Sequence, residues 1–190
     1  MEVFLNQFDD YYPLSQNTKS ELLKICNTHH YNKNEIILSQ GDLASNYYIV
    51  KKGLLGYYTL NENGTIIYKI FFEENSFVAS TVSIIESKPS DFSIVALEET
   101  EVISLPADKF RKLFYKCHDL ALFQINYLER NWVVEKEKLE IGLKTELAKH
   151  RYEELSKNTS LFNRLKQHHI ASYLGITPTQ LSRIRKELKL

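Results

Sequence analysis

Gln167-His-His-Ile-Ala-Ser-Tyr-Leu-Gly-Ile-Thr-Pro-Thr-Gln-Leu-Ser-Arg-Ile-Arg-Lys186 is the most specific stretch of this 190-residue chain. Its spacing is that of two short helices joined by a tight turn. Ala171 is small where the helices would cross closely, and Gly175 can take the positive φ that such a turn requires. Leu181 points back into the pair, and Ile170, Leu174, Ile176, Ile184 and Leu188 complete a small core. Thr177 is a good N-cap, Pro178 falls at the first helical position where its missing N–H is harmless, and Gln180 completes a capping box. The opposite face then presents Thr179, Ser182, Arg183 and Lys186, with Gln180 at its N-terminal edge. These are the side-chain types that read base edges and phosphates, so Thr177, Thr179, Gln180, Ser182, Arg183 and Lys186 are the expected DNA-binding set. Arg164, Lys166 and His168, which lead into the motif, are candidate phosphate contacts. The same spacing also suits an αα-hairpin with a solvated basic face.

Outward from this motif, a proline-free stretch from Asp119 to Lys144 predicts a long helix. Ile125, Leu128, Trp132 and Leu139 form a heptad-like stripe on it, which suits pairing with a second copy or packing on the chain's own remaining domain. Glu135 interrupts a clean seam. Asp108 to Tyr115 reads as a short helix, and Pro106 closes a series of strands running from Glu35 to Leu105: Glu35–Leu38, Tyr47–Val50, Leu54–Leu60, Thr65–Phe72, Asp91–Leu97 and Glu101–Leu105. Short runs of this kind, separated by turn residues such as Asn61-Glu-Asn-Gly64, predict a β sandwich or barrel. The first thirty residues read as short helices.

Net charge is zero, with 24 Lys+Arg against 24 Asp+Glu, which taken alone argues against a nucleic-acid partner. The distribution reverses that inference. Met1 to Phe110 carries 8 Lys, no Arg and 15 acids, a net of −7, and the remaining 80 residues carry +7 with all six arginines. Charge so divided indicates a partner that only one half touches. A composition of 43% hydrophobic and 25% charged residues is that of a globular protein. No apolar run approaches the roughly 18 residues of a membrane span, and no leader is visible, so a cytoplasmic location is expected. Cys26 and Cys117 have no metal-type spacing and are expected to be structural. The pairs His29-His30 and His168-His169 are neighbours that would diverge on a helix, so neither a metal site nor an enzyme is expected.

The chain resembles the Crp/Fnr family of bacterial transcription regulators over nearly its full length. The resemblance rests on the motif above and on Gly41-Asp-Leu-Ala-Ser-Asn-Tyr-Tyr-Ile-Val-Lys-Lys-Gly53. It implies an α+β fold: a cyclic-nucleotide-binding-like β-roll over 1–117, a dimerisation helix over 118–145, and a helix-turn-helix domain without a recognisable wing over 146–190. It also implies a homodimer on double-stranded DNA with two-fold-related half-sites, and contact with RNA polymerase. Members that bind cAMP carry Gly-Glu and Arg-Ser or Arg-Thr in a phosphate cassette. The matching positions here form the expected effector pocket, Phe77, Ala79, Ser80, Lys88, Ser90 and Asp91, and offer Lys88 as the one nearby cation. A buried cyclic phosphate needs cations or N–H donors, so cAMP and cGMP are not expected to bind in the usual way. The effector is therefore unassigned, and no cofactor is assigned. A β-roll binding module whose C-terminus does not bind DNA specifically is the alternative.

Overall fold

The computed structural model describes residues 2–134, 136–137 and 147–188. A 3₁₀ turn, Glu2–Leu5, leads into α1 (Asn6–Asp9) and α2 (Gln16–Ile25). Eight strands follow: β1 (Asn27–Tyr31), β2 (Ile36–Leu38), β3 (Asn46–Lys52), β4 (Leu55–Leu60), β5 (Ile66–Phe72), β6 (Phe77–Val78), β7 (Ser93–Ala96) and β8 (Thr100–Pro106). Helix α3 (Thr81–Glu86) interrupts them between β6 and β7. The strands make two antiparallel sheets, ordered β1-β8-β3-β6 and β2-β7-β4-β5.

The inner strands of both sheets bury residues on both faces, which explains their long apolar runs. Alternation along each strand sends neighbouring residues to opposite layers. Tyr48, Val50 and Val102 of one sheet meet Leu55, Tyr57, Ile94 and Ala96 of the other in the space between them. Ile49, Ile103 and Leu105 point outward into a helical layer built from Phe8, Leu22, Phe110, Leu120 and Phe123. On the second sheet, Tyr58, Tyr68, Phe71, Val95 and Leu97 point outward into the C-terminal helices. Gly53 turns β3 toward β4 at φ 104°, and a Cβ there would lie 2.5 Å from Thr100 Oγ1 and 2.7 Å from the Glu99 carbonyl oxygen. No other residue type fits that turn without movement.

After α4 (Ala107–Leu113), helix α5 (His118–Leu128) runs on into a π-helical turn, Glu129–Val134. Of the expected helix toward Lys144, Glu135 and residues 138–144, Leu139 among them, lie outside the described residues. Helices α6 (Ala148–Lys157), α7 (Thr159–Arg164), α8 (Gln167–Leu174) and α9 (Pro178–Glu187) complete the chain. Among the described residues no helix is long and apolar enough to cross a membrane.

The N-terminal expectation needs one correction. Residues 27–31 form a strand, so His29 and His30 lie on β1 and not on a helix. Asn-Thr-His-His-Tyr carries no apolar alternation, because β1 is an edge strand held mainly by its ladder to β8. Cys117 is buried and Cys26 half-buried, and both are free thiols.

Candidate nucleic-acid interface and effector cassette

Helices α8 and α9 make the expected helix pair. Gly175 caps α8 in the left-handed region at φ 67°, and Ala171 is 2% exposed at the crossing. Thr177 Oγ1 accepts the Gln180 N–H at 3.2 Å, and Gln180 Oε1 accepts the Thr177 N–H at 2.9 Å, so the capping box is formed in both directions. Leu181 is buried between the helices, with Ile184 and Leu188 beside it. That fixes the rotation of α9 and leaves Thr177, Thr179, Gln180, Ser182, Arg183 and Lys186 exposed together. Arg151 Nη2 donates to the Leu174 carbonyl at 2.8 Å and so closes the C-terminal end of α8.

Of the three candidate phosphate contacts, Lys166 and His168 are exposed, but Arg164 is placed otherwise. Its guanidinium is bound by Glu74 at 2.8 and 3.1 Å and by Glu98 at 2.7 and 3.4 Å, with Glu73 at 3.9 Å. In this arrangement it faces carboxylates of the β domain, not solvent. Those partners hold Arg164 protonated well above its ordinary range. Burial works against ionisation of Glu74, yet hydrogen bonds from Arg164 and from the Gly53 N–H outweigh it and hold the carboxyl at about 2.

The cassette positions also separate. Ser80 and Ser90 are both buried, and Ser90 Oγ lies 2.7 Å from Ser80 Oγ, which the Tyr57 hydroxyl approaches at 3.4 Å. Ala79 is half-buried beside them and Asp91 is exposed. Phe77 is a correction: it turns away from the inter-sheet space and packs edge-on or tilted against the rings of Phe8, Phe123 and Tyr127, with centroids 5.1 to 5.4 Å apart. Its neighbour Val78 takes the inner side, as strand alternation demands. Lys88 is a second correction, since it is exposed and its ammonium pairs with Glu86 at 3.0 Å. Among the described residues, Lys69 approaches the inner rings, its Nζ 4.8 Å over Phe92 and 5.9 Å over Tyr57. Tyr57 and Phe92 themselves stack at 4.6 Å. Burial, then the charge of Lys136, pushes the Lys69 ammonium below its ordinary pKa.

Ser172, to which the motif assigns no role, and His169, read there only as half of a histidine pair, tie the helix pair to the sheet. Ser172 Oγ donates to the Ile66 carbonyl at 2.6 Å and accepts the Tyr68 N–H at 3.1 Å, both on the free edge of β5. His169 packs its ring 5.2 Å from Tyr68 and 6.2 Å from Phe71, and its Nδ1 accepts the Lys166 N–H at 3.3 Å. Burial, then the charges of His168, Lys166 and Lys33, brings its pKa down to about 4. Local periodicity carries no sign of either contact, because both partners are about 100 residues away.

Residues 28–117 match the cyclic nucleotide-binding domain family. No curated protein matches the chain by sequence. Among solved structures, the c-di-GMP-responsive global regulator CLP of Xanthomonas campestris is 15% identical with a TM-score of 0.72, covering 92% of each chain. FixK2 of Bradyrhizobium japonicum is 19% identical with a TM-score of 0.70, covering 87% of this chain and 85% of its own. The catabolite activator protein of Thermus thermophilus is 19% identical with a TM-score of 0.59, covering 94% and 85%. The chain thus joins a cyclic nucleotide-binding-type domain to a C-terminal helix pair, and its overall fold is similar to that of these solved regulators.

Proposed function

We propose that this protein is a sequence-specific DNA-binding transcription regulator that acts as a homodimer. The observation that carries this reading is the exposed face of α9, where Thr179, Ser182, Arg183 and Lys186 stand together on a helix whose rotation is fixed by buried Leu181. Arg pairs bidentately with guanine, and Lys, Ser and Thr suit phosphate oxygens. Lys166 and His168 add phosphate contacts at the start of α8.

Pairing is supported by Ile125, Leu128 and Trp132, which leave an apolar stripe exposed at 50, 37 and 41%. A second copy of the same helix is the natural cover for such a stripe, and a two-fold dimer asks for two-fold-related half-sites. In this reading the three parts divide near residues 117 and 145, with the first part sensing a signal or serving as scaffold. The neutral Ser80–Ser90–Tyr57 network argues against a cyclic phosphate at the usual place. Contact with RNA polymerase and a cytoplasmic site of action belong to the same reading.

Mobility shifts with genomic fragments across a salt series test it. Phosphate neutralisation predicts a steep loss of affinity as salt rises. Absence of any shift at low salt would overturn the proposal in favour of a β-roll binding module.

A further inference from the structure

We propose that the helix pair is held on the β-roll by a releasable clasp, with Arg164 as its latch and the free edge of β5 as its seat. The seat is a physical necessity of the sheet. As the edge strand of its sheet, β5 presents unpaired backbone groups that must find partners. Ser172 supplies both partners at once, accepting from Tyr68 and donating to Ile66. Around it, Tyr68 and Phe71 pack on His169, and Phe71 also meets Tyr173 at 5.6 Å.

The latch is built differently from the seat. Arg164 enters a notch of three carboxylates, of which Glu74 is pinned by the Gly53 N–H at 2.8 Å and Glu73 is held by Asn158 Nδ2 at 2.7 Å. Bidentate guanidinium–carboxylate pairing is strong and directional, so it fixes how α7, and the helices after it, sit on the sheet. Yet the side chains of Glu74 and Glu98 are 38 and 37% exposed. Water and salt therefore reach the latch more readily than the buried ring contacts of His169, Tyr68 and Phe71. The clasp is consequently strong at low ionic strength and weakens first at the latch. On the DNA-binding reading, the same guanidinium, once released, becomes available to a backbone phosphate, so notch and DNA compete for it. The clasp itself does not depend on that reading.

Amide hydrogen exchange on the full chain without DNA tests the clasp directly. The Tyr68 N–H points off the sheet edge and donates to Ser172 Oγ, so its exchange reports seating once global opening is controlled for. Arg164→Gln, and separately the double variant E74Q/E98Q, should speed exchange at Tyr68 at least tenfold. Amides of the other sheet, such as those of Ile49 and Ile103, should keep their rates. Unchanged protection of Tyr68 in both variants would overturn the proposal. Equal acceleration at Tyr68, Ile49 and Ile103 would overturn it too, because it would show general loosening of the fold. A missing mobility shift would leave this readout untouched, which separates failure of the clasp from failure of the DNA reading.

Discussion

Replacing His169 by Gln should remove a specific part of the protein's sensitivity to acid. The ring is 7% exposed between Tyr68 and Phe71, and its pKa falls from 6.5 to about 4. The unfolded chain therefore takes up a proton near pH 6.5 that the folded chain refuses until about pH 4. Stability rises with pH across that window and is unaffected by this group above or below it. At about 1.36 kcal/mol per pKa unit, the full loss is about 3 kcal/mol, of which about 2 kcal/mol accrues between pH 7 and pH 5. For a chain of this size, that loss corresponds to a fall of roughly 4–8 °C in Tm. Gln keeps an acceptor for the Lys166 N–H that His169 Nδ1 now takes, and it does not titrate. Thermal and urea unfolding of both proteins from pH 7 to pH 5 should give curves that diverge, with the variant losing about 2 kcal/mol less. Parallel curves would refute the placement of a neutral, buried His169 in the seam.

Other substitutions address the remaining parts of the account. Arg183→Ala should cost roughly 1 to 3 kcal/mol in binding and relax selectivity at one base pair, as read by competition against single-base operator variants. Trp132→Glu places a charge in the exposed stripe of α5 and its π-helical extension, and sedimentation should show dissociation at concentrations where the parent remains paired. Calorimetric titration with cAMP or cGMP should give no binding at micromolar concentrations, because the cassette offers Ser80 and Ser90 where a cation would be needed. Micromolar affinity for either nucleotide would require a different phosphate site.

The parts of this protein that are local in sequence were legible in it. Thr177, Pro178, Gln180 and Gly175 each act within four residues of themselves, and the structure shows the cap, the box and the left-handed turn they predict. Strand runs were legible for a related reason, since the inner strands bury residues on both faces and so carry long apolar runs. Faces were harder. Alternation says that Phe77 and Val78 diverge, but only the packing of α1 and α5 decides that Phe77 is the one turned outward. Strand β1 escaped because a polar edge strand leaves no hydrophobic signal. Arg164 reads as a phosphate ligand among basic neighbours, and its partners Glu74 and Glu98 lie in distant loops of the β domain. Ser172 is the plainest case, a small polar residue on a helix whose task is set by the edge of β5.

The central claim is that two copies of α9 read one DNA site. Hydroxyl-radical footprinting on a genomic fragment selected by the protein tests it most directly. Two protected patches related by a two-fold axis should appear, about 34 Å apart or a multiple of that. They should weaken together with Arg183→Ala. A single unsymmetrical patch, or protection indifferent to Arg183, would contradict the account.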